Sequence, residues 1–297
     1  MQTKQQIEKL LASAGVSPNK RLGQNFLIDL NLMRVLIDEA GIRSNDIVLE
    51  VGCGTGSFTE ALCSQAGTVI AVEYDTALAK IAQAMLVDLY NVDVIHTDVL
   101  ESKNRLSNEV TRAVTEAMAD YSGRLMLVAN LPYSVAASLM ANLVTGSEGT
   151  PIADCMYATV QLEVAERMVA SASDKNYGTL SILMAATGKA KILRKLPRTV
   201  FWPKPEVTSA MVSFVRSKKK VSRIHDMGVF REVVRLFMGH RRKMLQGCVK
   251  FAEGNLEKVH NWSTIFSRAF VEPHHRGEEL EAEEYISIAN LCYEQIH

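Results

Sequence analysis

Ile47-Val48-Leu49-Glu50-Val51-Gly52-Cys53-Gly54-Thr55-Gly56 runs from an apolar strand straight into a glycine turn, and this join decides the fold. A short, nearly continuous apolar run fits a strand buried on both faces, as in a parallel sheet covered by helices. A glycine turn at the carboxyl end of such a strand lets the backbone approach a ligand closely, where open α/β sheets bind one. The spacing is G-x-G-x-G, shorter than the G-x-G-x-x-G of dinucleotide binders. No Lys-Ser/Thr pair follows, as a phosphate-cradling loop would need. NAD is therefore the disfavoured ligand.

Outward from this join, strands and helices alternate. Strands are expected over 68–73, 92–96, 125–129 and 155–160, and helices over 3–14, 29–40, 58–63, 76–86, 109–121 and 135–143. Asp29 fits an N-cap and Gly41 a helix stop. Alternation with continuous apolar strands predicts a mostly parallel sheet with helices on both faces. Near Arg216 the pattern changes. Residues 217–223 are polar and basic and read as a linker, and helices alone follow, over 229–238, 241–251, 256–259, 263–268 and 279–292. The expected domains are 1–217, α/β and ligand-binding, and 224–297, small and all-α.

At 297 residues, 47% hydrophobic and 22% charged, the chain has the composition of a globular protein with a sizeable core. Its apolar runs are too short to span a bilayer, and the first twenty residues lack the features of a leader, so a cytoplasmic protein with no membrane partner is expected. The five cysteines, Cys53, Cys63, Cys155, Cys248 and Cys292, have neither metal-knuckle nor redox spacing, and His274-His275 read as a surface or turn pair. No metal site is expected. Net charge is zero, yet residues 189–250 carry 17 Lys and Arg against three acids. A neutral protein can thus still present a basic face to nucleic acid.

Successive strand ends carry the chemistry. Glu73 ends the second strand, where a carboxylate can accept from both ribose hydroxyls. Asp98 closes the third and can accept from an adenine amine. The fourth runs into Asn130-Leu131-Pro132-Tyr133. The Asn130 side-chain oxygen and the Leu131 carbonyl can take both hydrogens of an exocyclic amine, and the Tyr133 ring can stack on the base that carries it. Holding those hydrogens out of plane localises the nitrogen lone pair and makes it nucleophilic.

This ensemble resembles the Rossmann-like class I methyltransferases that use S-adenosyl-L-methionine. Further motifs narrow the resemblance: Arg21-Leu22-Gly23-Gln24-Asn25-Phe26-Leu27, Gln161-Leu162-Glu163-Val164-Ala165-Glu166-Arg167-Met168, Tyr177-Gly178-Thr179-Leu180-Ser181, Phe201-Trp202-Pro203-Lys204-Pro205-Glu206-Val207-Thr208-Ser209 and His240-Arg241-Arg242-Lys243-Met244-Leu245. From about residue 21 to the end the chain is similar to the KsgA/RsmA family, the dimethyladenosine transferases of small-subunit ribosomal RNA.

The resemblance implies roles residue by residue. Asn25 and Leu27 would close over the methionine end of S-adenosylmethionine, the backbone at Gly52 and Gly54 would approach it, Glu73 would bind its ribose and Asp98 its adenine. Asn130 would contact both cofactor and target amine. Asn130, Leu131, Pro132, Tyr133 and Phe201 would form the catalytic slot, with Tyr133 and Phe201 sandwiching the target adenine and Pro203 and Pro205 stiffening the Phe201 loop. The implied reaction is methylation of N6 on two adjacent adenosines in the 3′-terminal hairpin of small-subunit rRNA, giving N6,N6-dimethyladenosine. The implied partner is the assembling small subunit, met by a monomer whose basic residues 218–220 and 241–243 hold RNA. The stretch between Asp98 and Leu125 is longer than the family usually has, and the pI of about 7.1 is low for an RNA enzyme. The rival readings are a large-subunit rRNA adenine N6-methyltransferase, which shares the glycine loop and an Asn-x-Pro-Tyr motif, and a non-catalytic assembly or RNA-binding factor.

Overall fold

In the computed structural model, which describes residues 1–19, 23–146 and 149–297, the expected alternation is realised. The strands are β1 (Phe26–Leu27), β2 (Ile47–Val51), β3 (Thr68–Glu73), β4 (Val92–His96), β5 (Leu100–Ser102), β6 (Arg105–Leu106), β7 (Leu125–Asn130), β8 (Cys155–Gln161), β9 (Gly188–Leu196), β10 (Phe201–Trp202) and β11 (Ser209–Arg216). Seven of them form one sheet in the order β4-β3-β2-β7-β8-β11-β9. Strands β4, β3, β2, β7 and β8 are parallel, and β11 runs antiparallel to β8. Each residue of β2 is buried, as expected of a central parallel strand. At its start, buried Asp46 pairs with Arg124 at 2.5 Å, tying the head of β2 to the head of β7.

The first helices are α1 (Lys4–Ser13), α2 (Leu30–Ala40), α3 (Ser57–Cys63), α4 (Thr76–Met85), α5 (Asn108–Asp120) and α6 (Ala136–Thr145). Asp29 caps α2 by accepting from the backbone N–H groups of Asn31 and Leu32, and Gly41 ends it in the left-handed region at φ 53°. The long stretch after Asp98 is a small hairpin, β5–β6, followed by α5, whose buried Val110 and Val114 lie on its inner face. The hairpin is braced where Asn142 on α6 donates to the Lys103 carbonyl at 3.3 Å. All five cysteines are free and buried.

The chain divides into two units, Met1–Ala165 with Lys191–Val215, and Glu166–Ala190 with Arg216–His297. A boundary near Arg216 is common to this division and to the sequence-based one, but residues 166–190 go with the helical unit. That unit holds α8 (Thr179–Thr187), α9 (Lys218–Val221), α10 (Met227–Gly239), α11 (Leu245–Cys248), α12 (Trp262–Arg268) and α13 (Ala282–Ile296); α7 (Leu162–Val169) spans the boundary. Tyr177 shows why 166–190 belong there: it is 2% exposed and its hydroxyl donates to the Leu280 carbonyl at 2.6 Å. Phe237 is the centre of this core, with Trp262, Phe266 and Tyr285 rings 6.0 to 6.3 Å from its own.

Two expectations change in this unit. Within the stretch read as a linker, residues 218–221 form a short helix, and Lys220 there donates to the Ala185 and Gly188 carbonyls at 2.7 and 2.9 Å, which occupies its charge at the end of α8. Residues 241–244 precede α11 without joining it, and Met244 forms a bridge with Arg276.

Candidate active site

The strand ends that carry the glycine turn, Glu73, Asp98 and Asn130 all open onto one cavity of about 320 Å³. Its floor is the turn after β2. Gly52, Gly54 and Gly56 have φ of 78°, 59° and 78°, the left-handed region that side chains disfavour. The Gly54 N–H donates to Glu73 Oε2 at 2.8 Å and the Asp75 N–H to Oε1 at 2.9 Å. Each Glu73 oxygen keeps a lone pair for a ligand. Burial pushes the Glu73 carboxyl up, and these N–H donors pull it partly back. Asp98 is exposed at the rim, with Oδ1 accepting from the Leu100 N–H at 3.0 Å.

Gly52 also meets the tetrapeptide. A Cβ at this position would lie 2.8 Å from Pro132 Cγ and 2.9 Å from Cδ. The missing side chain is thus what lets the proline ring seat on the turn, and the glycine loop and the tetrapeptide interlock.

Asn130 closes β7 with its carboxamide held on both sides. Its Nδ2 donates to the Asn25 carbonyl at 2.9 Å, and its Oδ1 accepts from the Thr159 hydroxyl. The Asn25 side chain turns back to the Gly23 carbonyl at 2.9 Å. No described residue donates to the Leu131 carbonyl. The Tyr133 hydroxyl shares a hydrogen bond with Ser209 at 2.7 Å, which pins the ring, while burial raises its pKa. Asn25, Leu27, Asn130, Leu131, Pro132 and Tyr133 all line the cavity with Gly52, Gly54, Glu73 and Asp98. Arg21 and Leu22 of the same amino-terminal motif lie outside the described residues.

Phe201 is placed differently. It is 3% exposed and packs in the core with Leu27, Leu196 and Met211, and it does not line the cavity. β1 pairs antiparallel with β10, Leu27 opposite Phe201 and Phe26 opposite Trp202, so successive residues alternate faces. Leu27 and Phe201 share one face and are both buried, and of the two Leu27 lines the cavity. Phe26 and Trp202 stack on the other, with ring centroids 6.1 Å apart, and Phe26 reaches over Gly54 at 3.0 Å from where a Cβ would stand. The aromatic that this ribbon lends to the cavity is Phe26.

Sequence reasoning missed Phe26, Thr159 and the pinning role of Ser209. It also gave no part to Glu50. That side chain is 2% exposed, lines the cavity, and has an Oε2 without a hydrogen-bond partner among the described residues. Burial pushes its carboxyl up to about 8, and the nearby Glu73 charge adds to the shift. A pKa raised in the folded state favours the protonated native form. Stability is therefore lost as pH climbs from the ordinary value of 4.5 through about 8. Thermal melts of the ligand-free protein should show that decline, and Glu50→Gln should raise the midpoint by about 5 °C at pH 9 while leaving it unchanged at pH 4.5. An equal shift at both pH values would refute a charge origin.

The lining carries three acidic side chains, Glu73, Asp98 and the Glu50 that burial keeps protonated at neutral pH, and among the described residues no Lys, Arg or His. Such a wall suits a ligand with net positive charge and repels a pyrophosphate. Backbone bared by glycine, paired acceptors for a ribose and an acceptor at the rim complete the fit to a cationic nucleoside.

Fold and cavity together define a class I methyltransferase. The sequence profile of the ribosomal RNA adenine dimethylase family matches residues 15–293, and the chain belongs to that family, in agreement with its KsgA/RsmA motifs. It is 36% identical over 284 residues to a protein named ribosomal RNA small subunit methyltransferase A from Geobacillus thermodenitrificans (strain NG80-2), covering 95% of this chain and 94% of the relative. Two solved structures share the fold. A dimethyladenosine transferase from Plasmodium falciparum superposes with a TM-score of 0.67 at 21% identity, covering 90% of this chain and 97% of the other. The 23S rRNA methyltransferase ErmE gives 0.58 at 20% identity, covering 89% and 98%.

Proposed function

We propose that this enzyme transfers methyl groups from S-adenosylmethionine to N6 of two adjacent adenosines in the 3′-terminal hairpin of small-subunit rRNA, giving N6,N6-dimethyladenosine, and acts as a cytoplasmic monomer on the assembling subunit. The observation that carries the reading is the Asn130 carboxamide, fixed at the edge of a cavity whose charged walls, among the described residues, are acidic. The name and near full-length match of the Geobacillus relative support the choice of subunit. No described helix is long and apolar enough to cross a membrane.

Glu73 would hold the ribose of the cofactor, Asp98 its adenine, the Gly52 and Gly54 backbone its spine, and Asn25 and Leu27 its methionine end. When bound there the cofactor supplies an electrophilic sulfonium methyl group. The chain's own task is orientation. Asn130 Oδ1 and the Leu131 carbonyl take the amine hydrogens, turning the nitrogen lone pair toward the methyl, and Tyr133 supports the unstacked base. No side chain need act as base before transfer, since the amine sheds its proton after the methyl arrives. Rate comes from proximity and a prepared lone pair, and target choice from the RNA contacts made elsewhere on the chain.

The test is incubation with labelled S-adenosylmethionine and unmodified small or large ribosomal subunits. Label is expected on small subunits alone, as dimethyladenosine at two neighbouring positions. Label confined to large subunits would assign the enzyme to the other subunit. Absence of S-adenosylmethionine binding in calorimetry would leave an assembly factor.

A further inference from the structure

We infer that Thr159 is a positioning residue for methyl transfer: its hydroxyl holds the Asn130 carboxamide oxygen at the place from which it takes a hydrogen of the target amine. The inference rests on the reading of Asn130 as the group that grips that amine.

Thr159 lies on β8, directly beside Asn130 in the parallel register of β7 with β8, and is 1% exposed. A threonine there needs no functional explanation as a strand former. What is unusual is where its proton goes, because it serves the one side chain of the tetrapeptide that must distinguish its own two ends.

A carboxamide can rotate by half a turn and fill the same space with oxygen and nitrogen exchanged. The two orientations have opposite chemistry, since the oxygen accepts amine hydrogens and the NH2 repels them. The surroundings of Asn130 break that near-symmetry. On one side stands the Asn25 carbonyl, 2.9 Å from Nδ2, which can only accept. On the other stands the Thr159 hydroxyl, which donates to Oδ1. Reversal would turn oxygen toward oxygen at Asn25 and leave the Thr159 hydroxyl facing an NH2. The Asn25 carbonyl, which can only accept, therefore selects the orientation, and the Thr159 hydroxyl, donating, holds Oδ1 in place as an acceptor with one lone pair spare.

The bonds also form a chain. Donation into Oδ1 polarises the amide and strengthens the Nδ2–H bond to Asn25. Thr159 on the sheet is thus joined through Asn130 to the Gly23–Leu27 segment that covers one wall of the cavity. Without the hydroxyl, Oδ1 loses its buried donor and the carboxamide is held at its Asn25 end alone.

The experiment uses the full chain, S-adenosylmethionine and unmodified small ribosomal subunits, and compares two pairs that differ in the hydroxyl at 159: wild type with Thr159→Val, and Thr159→Ser with Thr159→Ala. Val is close to Thr in shape, and the Ser/Ala pair repeats the deletion in a smaller side chain should Val pack poorly. In each pair the hydroxyl-free member should have kcat lower by about thirtyfold. KM for the subunit and Kd for S-adenosylmethionine should stay within about threefold, and Thr159→Ser should recover most of the wild-type kcat. Equal kcat within both pairs would overturn the inference. So would a Ser variant as slow as Val, which would indicate packing rather than hydrogen bonding. Asn130→Ala, run alongside, separates the two levels: if it stays active, the reading of Asn130 itself fails. If it is inactive while the hydroxyl pairs are equal, only the role of Thr159 fails.

Discussion

Asn130→Ala is expected to lower kcat for methylation of small subunits by about a thousandfold or more, corresponding to about 4 kcal/mol of transition-state stabilisation. The substitution removes the oxygen that takes one amine hydrogen, and with it the means of turning the nitrogen lone pair out of the ring. It also frees two groups, the Asn25 carbonyl and the Thr159 hydroxyl, that the carboxamide now satisfies. Leaving both without a partner in a dry site would cost about 1–3 kcal/mol each. Asn130 is only partly buried at the wall of an open cavity, so water can reach them and the folded state should survive. Circular dichroism melts should show a midpoint within a few degrees of wild type. Asn130→Asp is the sharper companion. It keeps an acceptor for Thr159 but sets a carboxylate oxygen against the Asn25 carbonyl, and it should be nearly as inactive. Turnover by either variant within tenfold of wild type would exclude the amine-gripping role.

The parts of this site that were readable in the sequence share one property: each lies at the end of an apolar run. Glu73, Asp98 and Asn130 follow β3, β4 and β7 because a parallel sheet sends its carboxyl ends to one edge, and the runs themselves mark where those ends fall. The placement of Phe201 was not readable, because its direction is set by a partner far away in the chain. Pairing with Phe26–Leu27 over two residues sets which face it takes, and a shift of one residue would have exchanged it with Trp202. Thr159 was invisible for another reason. A threonine in a buried strand is an ordinary β-former, and only the register that sets it beside Asn130 gives its hydroxyl a task. The β5–β6 hairpin is too short and polar to leave a periodic signal. Residues 166–190 join the helical unit through Tyr177 and its bond to Leu280, 103 positions away, which no local pattern announces.

Gly52→Ala should be costly to fold and function together, and for a reason beyond ligand approach. At φ 78° an alanine already carries the left-handed penalty of about 1 kcal/mol. Its methyl would then meet Pro132 Cγ and Cδ at 2.8 and 2.9 Å. A proline ring cannot swing aside as a leucine could. Either the turn after β2 or the tetrapeptide after β7 must shift, and each carries part of the cavity. The expected destabilisation is about 2–4 kcal/mol, with methyl transfer lost because Asn130 and Leu131 move with the proline. Gly41→Ala supplies the reference. Its φ is 53° but nothing lies within 4 Å of the added carbon, so it should lose only the backbone penalty of about 1 kcal/mol. Adding Pro132→Ala to Gly52→Ala removes the colliding ring atoms, so a double-mutant cycle should show stability partly regained and the two sites coupled by more than about 1 kcal/mol. Activity should not return, since the ring that seats the tetrapeptide is gone. Equal losses for Gly52→Ala and Gly41→Ala, or additive effects in the cycle, would show that the glycine serves only its own backbone and that the two halves of the site are not interlocked.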